Sequence, residues 1–394
     1  MDLAALQSAL REAELDGWLF YDHHQRDPLA YSILGLDATM HVTRRWFYLV
    51  PAKGEPRKLV HRIEAGRLDA LPGAKAEYSS WQELELQLEG MLAGATRLAM
   101  QYSLRNAIPS VSMVDAGTVE MVRGWAKEIV SSADLVSRFE AVLSETQIRS
   151  HYAAQERIDR ILDAAWKEIG GRVRAGNGAA PGTDEFAMVV WLGEAMRREG
   201  LVWEHGPNVS CGANSADSHY EPVAERSGMI RSGDFILIDL WGKLQEPGAV
   251  YYDITWTGVL GREPSERERS VFATVREARD AAIAAVQQAF ADRRPIAGYQ
   301  ADDAARAVIR ASGYGERFTH RTGHSIGTEV HGSGANLDNL ETHDVRLILP
   351  HTCFSVEPGV YFPGEFGVRS EVNMMTRPGA AEVTGRVQTE LLRI

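Results

Sequence analysis

Two pairs of acidic residues sit symmetrically about turn signals. In "VEPGVYFPGEFGVRSEV", residues Val356 to Val372, Glu357 and Glu371 lie fourteen positions apart with Pro363-Gly364 between them. In "FILIDLWGKLQEPGAVYYDITWTG", Asp239 and Asp253 have the same separation, with Pro247-Gly248 in the middle. Opposed residues of an antiparallel hairpin have a constant index sum and share a face. The sums, 728 and 492, put the turn centres at Gly364 and Glu246, so each pair is expected to face across its own hairpin. A lone ionised carboxylate buried beside a run such as "FILID" costs several kcal/mol or takes up a proton. Any one of the four could be a surface acid paired with arginine or lysine. Four acids arranged by two matching hairpins instead suggest a cavity that holds divalent cations.

The histidines add to the set. "TGHSIGTEVHG" contains His324 and His331 among glycines, which allow a close approach of backbone to a bound group. "SHYEP" places His219 twenty residues before Asp239. His324 is thus a candidate fifth ligand. His23, His24 and His41 read as loop or surface residues.

Stepping outward to the elements that must carry these groups, the first ~140 residues alternate helix and strand. Leu3–Leu15 is a helix and "GWLFYD" a strand. "RRWFYLVPAKGEPRKLVHR" is two strands about Lys53-Gly54-Glu55, "SSWQELELQLEGML" a helix and "RLAMQY" a strand. From Glu145 a long amphipathic helix begins, with Ile158, Ile161, Leu162, Ala165, Trp166 and Ile169 on one stripe. The domain boundary is expected there, giving 1–144 and 145–394. The second part reads as one order used twice. A long helix precedes a second helix at Asp184–Arg198 after Pro181-Gly182-Thr183, then strands and a hairpin. The Ser265–Glu268 capping box opens another long helix to about Phe290, followed by a helix at Asp302–Ala311, strands and the second hairpin. The fold class is α+β: an N-terminal α/β domain and a pseudo-twofold domain with a curved antiparallel sheet inside and helices outside.

Composition agrees with this reading. The 394 residues suit two domains, and 44% hydrophobic with 24% charged residues is globular usage. A formal charge of −12 argues against nucleic acid or an anionic membrane as partner. No apolar run reaches bilayer length, the N-terminus lacks a signal-peptide core, and only Cys211 and Cys353 are present, so a reducing cytoplasm is expected.

Taken in order, Asp239, Asp253, His324, Glu357 and Glu371 resemble the ligand set of the pita-bread metallopeptidases, which include methionine aminopeptidase, aminopeptidase P, prolidase and creatinase. "DIT" after the second aspartate, "GH-x-IG" about the histidine and "VEPG" at the first glutamate carry the likeness. "AIPSVSMVDAGTVEMVR" and "EIVSSADLV" are similar to the creatinase-like N-terminal domain and linker of bacterial Xaa-Pro dipeptidases, so the likeness spans the chain. The chain departs from the pattern in four places. The two aspartates are further apart than usual, Trp256 replaces the arginine of "DITRT", Ser325 a glycine, and Gly332 the acid after His331.

The resemblance implies a dinuclear site, best suited to Mn2+, with Co2+ or Zn2+ possible occupants. Asp239 would bind one ion, His324 with Glu357 the other, and Asp253 and Glu371 would bridge them. A hydroxide between the ions would attack the bond preceding proline in Xaa-Pro dipeptides, with aminopeptidase P activity on longer Xaa-Pro-Xaa peptides as the alternative. A non-enzymatic binding protein on the same fold is the third reading. Glu357 is the expected proton shuttle, and His219 and His331 the residues that hold substrate and stabilise the intermediate. His343, Arg346 and Tyr220 are the substrate-binding candidates, the first two for a free carboxylate, with Tyr361, Trp203 and Trp256 as apolar lining. The resemblance also implies a homodimer.

Overall fold

The computed structural model describes residues 1–176 and 182–394; Pro181, part of the turn expected before the second helix, lies outside them. The chain separates into two compact units, Met1–Glu140 and Ala141–Ile394.

The first unit is built on a mixed six-stranded sheet: β1 Gly17–Asp22, β2 Trp46–Pro51, β3 Arg57–His61, β4 Ala74–Tyr78, β5 Arg97–Met100 and β6 Glu128–Ser131, in the order β4-β3-β2-β1-β5-β6. Both faces of β1 are buried. Trp18 and Phe20 pack with helices α1 (Leu3–Glu12) and α2 (Pro28–Leu34), while Leu19 and Tyr21 join α3 (Trp81–Leu92) and α4 (Ala116–Arg123). The period-2 alternation of side chains therefore feeds two cores from one strand. Asp27 caps α2, its Oδ1 accepting from Ala30 N at 3.0 Å, while its buried Oδ2 has no partner.

The second unit runs helix, helix, strands, hairpin, twice. Its first half is α5 (Glu145–Ala175), α6 (Glu185–Arg198), β7 (Asn208–Cys211), β8 (Phe235–Leu244) and β9 (Tyr252–Val259). Its second half is α7 (Glu266–Ala291), α8 (Gly298–Ala311), β10 (Ser325–Ile326), β11 (Cys353–Val356), β12 (Gly359–Phe362), β13 (Phe366–Arg369), β14 (Val372–Arg377) and β15 (Ala380–Thr384). Capping boxes at Ser144 and Ser265 start the two long helices. In the first half Ile236, Ile238, Leu240, Ile254 and Trp256 pack against α5 and α6. In the second, Phe354, Val356, Val360, Val368, Val372 and Met374 pack against α7 and α8. Alternation then leaves the polar residues of both hairpins on the opposite face.

The two registers differ in how they meet expectation. Around Gly364 (φ +81°) the index sum is 728 throughout, from Val356 opposite Val372 to Phe362 opposite Phe366. Glu357 and Glu371 fall in a short unpaired interval between the two stretches of ladder. In the other hairpin the expectation is corrected: Asp239 faces Thr255 and Asp253 faces Trp241. The tip causes the shift. Ala249 N closes a turn onto Glu246 O, and Val250 and Tyr251 then leave the ladder to bond Ser150 Oγ and Gly327 O. A two-residue slip preserves the face, so both aspartates still point the same way.

Candidate metal centre

Asp253, His324 and Glu371 form one buried group whose ligand atoms lie within 4.8 Å of one another. Glu357 joins them, its Oε1 3.3 Å from His324 Nε2; Asp253 Oδ2 is 3.6 Å from the same nitrogen. Asp239 is bonded directly by Arg369 through Nη2, and the same guanidinium stands 3.8 Å from Glu357 Oε2 through Nε. All five residues of the ordered set are thus linked through contacts around one point.

Local structure explains how they are held. Asp253, Thr255 and Thr257 share the polar face of β9. Thr255 Oγ1 accepts from Arg369 Nε at 3.0 Å and donates to Glu371 Oε2 at 2.7 Å, while Glu371 N bonds Thr255 O. Ser355 Oγ accepts from His324 N and donates to Glu357 Oε1 at 3.0 Å. His324 Nδ1 lies 3.1 Å from Ser325 O, which leaves Nε2 facing Asp253 and Glu357; burial lowers the imidazole's pKa, but these two acids outweigh it and raise the pKa above its ordinary value.

The charge balance is unfavourable for a metal-free protein. Four carboxylates meet one guanidinium, and unit charges about 4 Å apart interact by roughly 4 kcal/mol at an effective dielectric near 20. Burial, aided by Asp253, pushes Glu371 well above the usual carboxylate range. Burial raises Asp253 against the pull of His324, and lifts Asp239 to about 7 against the Arg369 guanidinium. Glu357 goes the other way: burial raises it, but His324, Arg369 and His320 together hold it below its ordinary value. Asp253 Oδ1 and Glu371 Oε1 are buried without a hydrogen-bond partner among the described residues. Carboxyl oxygens without partners, grouped with an imidazole nitrogen that two further acid oxygens approach, fit hard divalent cations.

Of the other expected residues, His331 stacks edge-on to His324, with ring centroids 4.4 Å apart. Burial pushes its pKa down to about 4, with His324, Arg321 and, among lesser causes, His219 adding to the shift. His219 is exposed on the segment after β7. Tyr220 is buried, its hydroxyl donating to Glu185 at 2.6 Å. His343 is exposed, bonding Asn339 Oδ1 and lying against Tyr299. The expectation for Arg346 is corrected. Its guanidinium, 1% exposed, is held by both oxygens of Asp344 and by Ser333 O, so it has no face to offer a ligand. Trp256 packs in the α5–α6 core on the opposite face from the acids, under the Arg386 guanidinium. Tyr361 does reach the cluster's edge, where its hydroxyl meets His320 Nε2 at 2.7 Å.

Arg369, Thr255, Ser355 and His320 were missed by the sequence reading. Arg369 had a signal: it stands two before Glu371 in an extended stretch, a spacing that places two side chains on one side. The departures at 325 and 332 lie against each other, beside the backbone of Ile326 and Gly327. A Cβ on Gly332 would sit 3.0 Å from Ser325 Oγ, and Ser325 Oγ accepts from Gly334 N.

The family model described as Metallopeptidase family M24 matches residues 150–378. The chain is 27% identical over 341 residues to the probable dipeptidase PepE of Mycobacterium tuberculosis, covering 85% of this chain and 82% of that protein. It is 28% identical over 285 residues to an Xaa-Pro dipeptidase of Pyrococcus horikoshii, covering 71% and 73%. The crystal structure of dipeptidase PepE from Mycobacterium ulcerans superposes with a TM-score of 0.70 at 22% identity, over 100% of this chain and 96% of that one.

Proposed function

Because this chain belongs to metallopeptidase family M24, we propose that it hydrolyses the peptide bond preceding proline, with Xaa-Pro dipeptides as its substrates. The observation that carries this reading is the buried cluster itself, in which Asp253, His324 and Glu371 bring ligand atoms within 4.8 Å of one another while Asp253 Oδ1 and Glu371 Oε1 have no hydrogen-bond partner among the described residues. Asp239, Asp253, His324, Glu357 and Glu371 would hold two divalent cations, Mn2+ being preferred by an oxygen-rich set with a single imidazole. When bound, such ions supply Lewis acidity and lower the pKa of a water toward neutrality. The similarity to proteins named dipeptidase and Xaa-Pro dipeptidase supports the substrate class.

The chain's own residues supply the rest. Glu357, the acid held ionised by its neighbours, is the proton shuttle from attacking water to leaving nitrogen. His331, kept neutral by burial, offers an imidazole to the substrate carbonyl, and His219 approaches from the opposite segment. The proline ring has no N–H and a fixed φ, so recognition must come from shape and from the free carboxylate. Of the two candidates for that carboxylate, His343 is the exposed one. The working form is proposed to be a cytoplasmic homodimer, the compartment being suggested by two buried, unpaired cysteines.

The test is hydrolysis of a panel of Xaa-Pro dipeptides, Xaa-Pro-Xaa tripeptides and Xaa-Ala controls by protein reconstituted with Mn2+, Co2+ or Zn2+. Preferential cleavage of Xaa-Pro dipeptides is expected. Cleavage of tripeptides alone would make the chain an aminopeptidase P, and metal binding without cleavage would leave it a binding protein.

A further inference from the structure

Glu185, the first residue of α6, is fully buried, and among the described residues no lysine or arginine pairs with it. Its carboxylate is satisfied by hydrogen-bond donors alone. Oε1 accepts from Cys211 N at 2.6 Å and Asn214 Nδ2 at 3.0 Å; Oε2 accepts from Gly228 N at 2.5 Å, Asn214 Nδ2 at 3.0 Å and Tyr220 Oη at 2.6 Å. A Cβ on Gly228 would lie 2.8 Å from Oε2, so glycine is needed for that approach. One buried carboxyl group thus holds four donors, and a donor that moved away would leave a buried polar atom short of a partner.

All four donors belong to one segment, 211–228, and that segment carries His219. Its other side is tied to the second hairpin, where Gly367 N bonds Ser215 Oγ at 2.9 Å and a Cβ at 367 would strike Ser215 O. Gly367 is two residues from Arg369 and four from Glu371. The segment is thus clamped between the start of α6 and the strand leading into the acid cluster. His219 itself is exposed, its backbone turned by Asp217 Oδ1, and makes no side-chain hydrogen bond among the described residues that would hold its ring.

We infer that Glu185 is a positioning residue for the hydrolysis proposed above, acting through His219 by locking residues 211–228, with Tyr220 a strut of that lock and not a substrate contact. The inference rests on the proposed function for its kinetic consequence, and on the hydrogen bonds alone for its structural one.

Glu185→Gln places an amide where at least one backbone N–H needs an acceptor. The Mn2+-loaded variant is expected to keep wild-type metal content while kcat/KM for a Xaa-Pro dipeptide falls up to ~10²-fold, the cost of a small misplacement. In a His219→Ala background the same substitution should then cost nothing further. Equal losses in both backgrounds would overturn the inference. Amide hydrogen exchange gives an activity-independent readout: protection should fall across 208–230 and stay unchanged in α7 and α8, and unaltered protection at 208–230 would equally overturn it. If wild-type protein cleaves no peptide, the proposed function fails, and exchange still decides whether Glu185 locks the segment. Should Glu185→Gln not fold, Tyr220→Phe removes one of the four groups and enters the same cycle with His219→Ala.

Discussion

Glu357 differs from the other three acids in its surroundings. Burial acts on all four, but only Glu357 has His324, Arg369 and His320 together opposing it, and it alone is lowered. Substituting Glu357→Gln keeps the shape and removes the base. A fall in kcat of ~10²–10⁴-fold is expected with little change in KM, measured by steady-state kinetics on metal-loaded protein. A second residue-scale prediction concerns Asp27, whose buried Oδ2 lacks a partner and whose pKa burial raises to about 7. A raised folded pKa means the native state holds the proton more tightly. That contribution is complete below the ordinary aspartate value and is lost as pH rises through about 7. Asp27→Asn removes the ionisation and keeps the cap. Its stability relative to wild type should therefore improve between pH 5 and pH 8 by about 2.7 kcal/mol, the roughly two units from pH 5 to the folded pKa at 1.36 kcal/mol each. Denaturant titrations at the two pH values would show the difference, and an offset that does not change with pH would refute it.

At the scale of elements, the hairpins place residues in pairs and the slip of two in one of them is tolerated because the period of a strand is two. Ser325 and Gly332 are neighbours in a tight site: a side chain at 332 would meet the serine hydroxyl at 3.0 Å and the backbone of Ile326 and Gly327 at 3.1 Å. Gly332→Ala is expected to destabilise by about 1–3 kcal/mol through overpacking, and Ser325→Gly in the same chain should recover part of that loss. Thermal unfolding of the two single variants and the double variant tests the coupling. Additive losses would show the two positions to be independent. The same scale explains Arg369. A spacing of two in an extended stretch put it on the side of Glu371, but its partner Asp239 is supplied by the other hairpin, through a contact 130 positions away in sequence.

For the whole molecule, the acid cluster joins the two halves of the second unit. Asp239, Asp253 and Thr255 come from the first half; His324, Glu357, Arg369 and Glu371 from the second. Cations bound among them should therefore stabilise the unit as a whole. Adding Mn2+ at a hundredfold excess over its dissociation constant is expected to raise stability by about 2.7 kcal/mol for each such site. Chelation should lower the unfolding temperature, and Asp253→Asn should abolish the metal-dependent part. An unfolding temperature indifferent to Mn2+ and to chelator would count against the centre.

The amino-acid order alone determined the elements and the candidates. The capping box at Ser265, alternation along β8 and β9, and the turn at Pro363-Gly364 are local signals, and local signals are what a sequence displays. The register around Gly364 was legible because that turn is symmetric. The other was misjudged because residues 250–251 leave the ladder to bond distant groups, which no local pattern encodes. Tertiary structure decided the remainder. It decided that Arg346 is held by Asp344, that Trp256 faces away from the acids, and that Thr255 and Ser355 orient the carboxylates. A threonine or an arginine has many uses, and which one it serves depends on partners brought near only when two hairpins distant in the chain come together, as where Glu371 N bonds Thr255 O.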